Sequence, residues 1–296
     1  MKIRNFLYRK MFFAIIIAVA MTISFSAYSQ NNSGKSQLSG AVRLEYKYQI
    51  QVPLKYLTLS KMTQVMDIQG QSMQNNISSV IGCTIKSAGK RGPDLILEIK
   101  IDSLGQTVES PMGTSGGPVN EVKGKLFNLY ISPDGKDIDV TEAEKVVYNL
   151  EGSGESNMSQ AFLDFFPQLP GTAVKPGDTW NTVDTVKGKN ASTLTVNELN
   201  STDKLEGFEN ISGMDCARIS SALSGTMTIN TQNQGMDIRM KGTYTGTASY
   251  LFAVKEGYFV SQSVSTKITG NIEISSPESM TFPMVMDVTS STEIKK

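Results

Sequence analysis

The stretch MDIRMKGTYTGTASYLFAV, residues 236 to 254, decides how this chain is read. Its even positions run Met236, Ile238, Met240, Gly242, Tyr244, Gly246, Ala248, Tyr250, Phe252 and Val254. The odd positions run Asp237, Arg239, Lys241, Thr243, Thr245, Thr247 and Ser249. A period of two is a strand with one oily and one wet face, and a period of 3.6 does not fit. After the turn Lys255-Glu256-Gly257 the alternation resumes with Tyr258, Val260, Val264, Ile268, Ile272 and Ile274. It returns once more in Met280, Phe282, Met284, Met286 and Val288. Residues 214 to 296 therefore predict four long antiparallel strands in a meander.

Toward the N-terminus the same alternation predicts strands at 42–52, 56–69, 73–87 and 94–104, the last two joined by Ala88-Gly89-Lys90-Arg91-Gly92-Pro93. The Gly/Ser/Pro-rich stretch 105–118 reads as a mobile surface loop. A hairpin over 122–131 and 137–140 turns on Ser132-Pro133-Asp134-Gly135. Shorter strands are expected at 180–186, 191–199 and 203–211. Trp180, the single tryptophan, follows Pro176-Gly177-Asp178-Thr179 and reads as a core plug at the start of a strand.

Two helices are expected between the sheet regions. Thr141 caps the first, with Glu142 and Glu144 in its opening turn and Val146, Val147 and Leu150 as its apolar stripe. The second spans Ser153 to Phe166, where Met158, Ala161, Phe162, Phe165 and Phe166 follow helical spacing and Pro167 ends it. The fold class is thus mainly β (α+β): a large curved antiparallel sheet, half-barrel-like, of long strands with two mid-chain helices packed on its apolar face. Residues 41–296 form a single β-rich domain, with N-terminal strands 41–140, helices 141–166 and C-terminal strands 178–294.

Lys2, Arg4, Arg9 and Lys10 precede an apolar run from Met11 to about Phe25 and the small-residue exit Ala27-Tyr28-Ser29. This is the pattern of a secretory signal peptide over residues 1–29, and residues 30–40 read as a disordered polar leader. The expected location is periplasmic or secreted, outside the cytoplasm of a Gram-negative bacterium. Twenty-eight basic residues balance 28 acidic ones with no basic stripe, so nucleic acid is a poor partner. Cys83 and Cys216 are the only cysteines, and in an exported chain they form either a disulfide or two free thiols.

Histidine is absent, which removes Ser-His-Asp and Cys-His arrangements. Glu155 with Asp164 is a formal carboxylate pair, but helix-face or turn charges are the simpler account. No cofactor or metal site is expected, and neither is catalysis.

The oily face carries the functional question. Strands of about 16 to 18 residues reach roughly 50 to 60 Å, whereas a 14-residue helix covers about 21 Å. Two helices do not cover such a sheet if it stays flat, so it must curl, and Gly242, Gly246, Gly257 and Gly270 mark the cheapest places to bend. The inward face is rich in methionine: Met227, Met236, Met240, Met280, Met284 and Met286. Three accounts stand: an ordinary closed core, a groove for a lipid or lipidated chain, and an outer-membrane barrel with these faces toward lipid. The groove account assigns ligand lining to Met240, Tyr244, Tyr250, Phe252, Phe282 and Met284, with Phe162 and Phe165 as a movable plug. The closed-core account makes the chain a structural or protein-partner-binding envelope protein.

The exit ending in Ser29-Gln30, the Pro176-Gly177-Asp178-Thr179-Trp180 motif and the closing long strands resemble a group of exported β-rich proteins of Bacteroidota. In architecture, a curved sheet with helices in its hollow is distantly similar to LolA-like periplasmic lipoprotein carriers, a resemblance that implies lipid binding. Asp102-Ser103-Leu104 and Asp184-Thr185-Val186 resemble the O-glycosylation acceptor pattern of that phylum.

Overall fold

The computed structural model describes residues 33–48, 52–68, 70–136, 138–150, 154–189, 193–233, 235–275 and 279–295. The signal-peptide reading of 1–29 lies outside them. In chain order the strands are β1 (Ser33–Lys35), β2 (Val42–Arg43), β3 (Leu54–Ile68), β4 (Gln71–Arg91), β5 (Asp94–Ser110), β6 (Gly113–Pro118), β7 (Leu126–Ile131) and β8 (Ile138–Asp139). After helix α1 (Thr141–Glu144) come β9 (Val147–Leu150), β10 (Gly154–Asn157), β11 (Ala173–Val174), β12 (Thr179–Lys189), β13 (Thr193–Ile211), β14 (Met214–Asn233), β15 (Met236–Ala253), β16 (Tyr258–Ile274) and β17 (Met280–Lys295).

One large antiparallel sheet dominates. Its ladder runs β13-β14-β15-β16-β17-β3-β4-β5-β7-β8, with β1 and β12 both paired to β13 and β6 paired to β5. The meander is as the alternation predicts. A seam that no local pattern announces joins the two halves: β17 pairs with β3, from Met284 opposite Met66 to Lys295 opposite Lys55. The ladder does not close, and its free ends are β8 on one side and β1 and β12 on the other.

The sheet folds back over its own apolar face, because residues far apart in the ladder share clusters. Val108 of β5 belongs to the same packed cluster as Met227 and Ile229 of β14. The backbone bends where side chains are absent. Gly242 and Gly270 face each other across β15 and β16, and a Cβ on Gly270 would collide with the Lys241 carbonyl, one on Gly246 with the Ser265 carbonyl. Only glycine permits that approach.

Several expectations are corrected. Two mid-chain helices do not form: among the described residues the one α-helix is α1, a single turn, and its predicted continuation is strand β9. The second is replaced by β10, which pairs with β9, and a 3₁₀ turn at Met158–Ala161 capped by Asn157 accepting from the Ser159 N–H. Helical spacing of Phe162, Phe165 and Phe166 arises in an irregular segment whose rings are buried by tertiary contact, and Gly152, Gly154 and Pro167 disfavour a long helix there. The 105–118 stretch is not a loop: β5 runs to Ser110 and pairs with β6. Among the described residues of the predicted 42–52 strand only β2 is strand, after which Leu44, Tyr46 and Tyr48 turn into the core. In the leader, Ser33–Lys35 pair with β13.

Cys83 and Cys216 are free and buried, so the disulfide is not formed. Cys83 lies on β4 and Cys216 on β14, five strand positions apart in the ladder.

Candidate functional site: a hollow between the sheet edges

Buried apolar residues fall into two clusters on the inner face. The first is aromatic. Tyr46, Tyr48, Phe162, Phe165 and Phe166 are carried by non-strand segments and pack against Tyr56, Phe252, Tyr258 and Phe259 of the sheet. The contacts are mostly edge-to-face, such as Tyr46 on Phe252 at 5.3 Å and Phe165 on Phe259 at 5.4 Å between centroids, the geometry ring quadrupoles favour. The Tyr46 hydroxyl donates to the Pro167 carbonyl at 2.8 Å, tying the first inserted segment to the second. Trp180 packs against this cluster from the start of β12.

The second cluster is methionine-rich: Met62, Met66, Met227, Met236, Met240, Met284 and Met286 with Ile229, Ile238, Ile272 and Phe282, all strand residues. Its one polar island is Gln64, which accepts from the Asn75 amide at 3.2 Å and turns its own amide toward the Met284 sulfur at 3.6 Å. Between the clusters the β3/β17 seam is lined with hydroxyls, Thr58 with Thr292 at 2.9 Å and Ser60 with Ser290 at 2.5 Å.

A hollow of about 560 Å³ lies between the two clusters, within the roughly 300–1,000 Å³ range of small-ligand sites. Both free ends of the ladder border it. Arg91, Tyr130, Ile138 and Asp139 come from the β4–β8 side and Thr182, Asp184 and Val186 from β12. The Leu163–Gln168 segment forms one wall, and the floor is the inner face of β13 to β16, including Leu199, Leu223, Met227, Tyr244, Ala248, Tyr250, Val264 and Ile268.

Of the residues the groove reading selected, the structure brings Tyr244 and Tyr250 to this hollow. Met240, Phe282 and Met284 are packed inside the methionine cluster; Phe252, Phe162 and Phe165 are inside the aromatic one. The plug wall is instead Leu163 and Phe166, because without a helix the side chains at 162 and 165 turn inward while those at 163, 164 and 166 meet the cavity.

Sequence reasoning missed the polar equipment. Asp203 of β13 is buried and accepts from Ser221 Oγ at 2.5 Å, Ser201 Oγ at 2.9 Å and Thr182 Oγ1 at 3.3 Å. Burial raises its pKa, and those hydroxyls partly offset the effect. Asp184 accepts from Gln168 Nε2 at 2.6 Å, and the Gln168 carbonyl in turn accepts from the Tyr250 hydroxyl at 3.2 Å. Asp164 is exposed and lines the hollow, with protein packed around its carboxyl. Desolvation first, and the nearby Asp184 charge second, push its carboxyl up to about 6. A signal for Asp184, Ser201, Asp203 and Ser221 did exist: they are polar residues on the inward phase of otherwise alternating strands. Glu155, the other half of the formal carboxylate pair, sits exposed on β10 and does not line the hollow.

The outer face of β15 is exposed and polar along Asp237, Arg239, Lys241, Thr243, Thr245, Thr247 and Ser249. A lipid-facing barrel needs the opposite arrangement. Among the described residues no helix is long and apolar enough to cross a membrane.

No protein-family model and no curated protein matches the chain. Among solved structures, Pseudomonas aeruginosa OccK2 (OpdF) in complex with glucuronate is 7% identical, with 84% of this chain and 100% of that chain covered and a TM-score of 0.26. At that score the likeness carries no argument.

Proposed function

We propose that the chain is an exported, non-enzymatic binding protein that holds an apolar ligand, a lipid or the acyl chain of a lipidated protein, in the hollow of a half-barrel-like sheet. The observation that carries this reading is the hollow itself. A closed core leaves no cavity, whereas here Leu163, Phe166, Leu223, Met227, Val264 and Ile268 present apolar surface to about 560 Å³ of space. The unclosed ladder leaves both edges at its border, which supplies an entry route. Binding is favoured over catalysis because the chain has no histidine and because Asp203, the deepest carboxylate of the hollow, is already held by three hydroxyls.

The LolA-like carrier is the architectural parallel that this reading extends, with an irregular segment at 158–169 in place of helices. The alternative, a structural or partner-binding envelope protein, draws support from the methionine cluster, which the strands fill without any inserted segment.

Ala248 tests the placement. It sits half-buried on the floor of the hollow, so Ala248→Trp should fill the space from a strand that stays paired. The expected result is a more than tenfold weaker affinity for an uncharged fluorescent alkyl probe in a variant whose circular dichroism is unchanged. Probe binding at wild-type strength in the folded variant would place the ligand elsewhere.

A further inference from the structure

The hydroxyl and amide donors of the hollow are largely spent on protein oxygens, Ser201, Ser221 and Thr182 on Asp203, Gln168 on Asp184 and Tyr250 on the Gln168 carbonyl, and several acceptors are left over. The Asp164 carboxylate faces the hollow, and among the described residues no hydrogen bond or ion pair reaches it. Asp184, also on the lining, receives one hydrogen bond on each oxygen, from Gln168 Nε2 at 2.6 Å and from the Thr185 N–H at 2.7 Å, and no cation pairs with it among the described residues.

The second observation is independent of these carboxylates. On the β13 to β16 floor, Asn197 Oδ1, Gln262 Oε1 and Thr266 Oγ1 are buried oxygens without a hydrogen-bond partner, and all three residues line the hollow. Thr266 is only 4% exposed. Asn197 also hydrogen-bonds Tyr244 through its side chain, which fits its amide nitrogen turning to the phenol and its oxygen remaining free. Buried acceptors left unsatisfied are costly unless something donates to them.

Three cations border the hollow, and none answers this need. Arg91 is engaged at the rim, 3.3 Å from Asp139 and 3.7 Å from the Tyr130 ring centroid. Lys136 and Lys187 are exposed.

We infer that the ligand of this hollow carries a primary ammonium group, a cationic head with several N–H donors, set between Asp164 and Asp184 while its apolar chain lies along Leu223, Met227 and Ile268. This rests on the apolar-ligand reading above and narrows its substrate class to cationic amphiphiles. An ammonium supplies three donors and one charge, so it satisfies carboxylate and amide oxygens together. A quaternary ammonium supplies charge alone, and a fatty acid would bring a like charge to Asp164 and Asp184.

The test compares four probes of equal chain length on the full mature chain at pH 7, below their micelle-forming concentrations: dodecylamine, dodecyltrimethylammonium, dodecanol and dodecanoate, by isothermal titration calorimetry. The expected order places dodecylamine first, at least tenfold tighter than dodecanol, with dodecyltrimethylammonium between them and dodecanoate weakest. In Asp164→Asn/Asp184→Asn, dodecylamine should weaken about tenfold or more while dodecanol is unchanged. Equal binding of amine and alcohol, or an amine affinity unmoved by the double variant, would overturn the head-group inference and leave the apolar-ligand reading standing. Failure of all four probes to bind would overturn both.

Discussion

The aromatic and methionine halves of the inner face begin from the same alternating strands and end up filled in different ways. In the aromatic half the sheet stays open enough to need material from elsewhere, and residues 44–48 and 158–169 are laid onto it, with Tyr46, Tyr48, Phe162, Phe165 and Phe166 doing the filling. In the methionine half every buried member belongs to a strand, so the sheet closes over itself. Large rigid rings leave gaps that another rigid ring must match, whereas unbranched thioethers adapt to whatever spacing the curl leaves. The hollow lies where these two solutions meet, over the inner face of β13 to β16. The comparison teaches that a cavity in such a sheet sits at the boundary between packing regimes and not in the middle of either.

The largest effect should come from breaking the aromatic half. Phe252 is fully buried on β15 and meets Tyr46 edge-on, so Phe252→Ala should cost about 3–5 kcal/mol in urea unfolding. The methionine half should be far more tolerant. Met284 is also buried, yet Met284→Leu conserves volume and should cost less than about 1.5 kcal/mol. Equal losses at the two positions would erase the distinction between the halves. Aspartate at Met240 and Met284 would not probe ligand binding at all: it would bury two unpaired charges in a filled core.

The boundary itself has a pH signature. Asp164 faces Asp184 from β12 and Tyr244 from β15, and its pKa rises from 3.8 to about 6 in the folded protein. The folded state therefore holds this proton more tightly than the unfolded state. Stability should fall as pH rises from about 4 through about 6, with the loss complete above 6. Asp164→Asn keeps the neutral shape, so thermal melts across that window should show a smaller decline than wild type and a relative gain for the variant at pH 7. An unchanged slope would remove Asp164 from the wall of the hollow.

How far the sequence was legible follows the same division. Alternation identified β14 to β17 and β3 to β5 because each residue there alternates between core and solvent, which is a local property. The β17/β3 seam joins residues more than 200 positions apart, and nothing in either strand names its partner. The segment 141–166 misled because Phe162, Phe165 and Phe166 sit at helical spacing while their burial is set by tertiary contacts with Tyr56, Phe127 and Phe259. For the site, Tyr244 and Tyr250 were read correctly as inward-facing and do line the hollow. Phe282 and Met284 were inward for the same reason, but periodicity gives a face and not a depth along the sheet. Asp184 entered only as part of an O-glycosylation tripeptide and Asp203 was not singled out, although both fall on the inward phase of their strands.

Native mass spectrometry of the protein purified from its native source, followed by organic extraction, tests the central claim most directly. The account predicts a species heavier than the denatured chain by the mass of one lipid-sized molecule, released on extraction and bearing an amine. A bare chain mass with nothing extractable would contradict it and leave the hollow as a gap in an ordinary core.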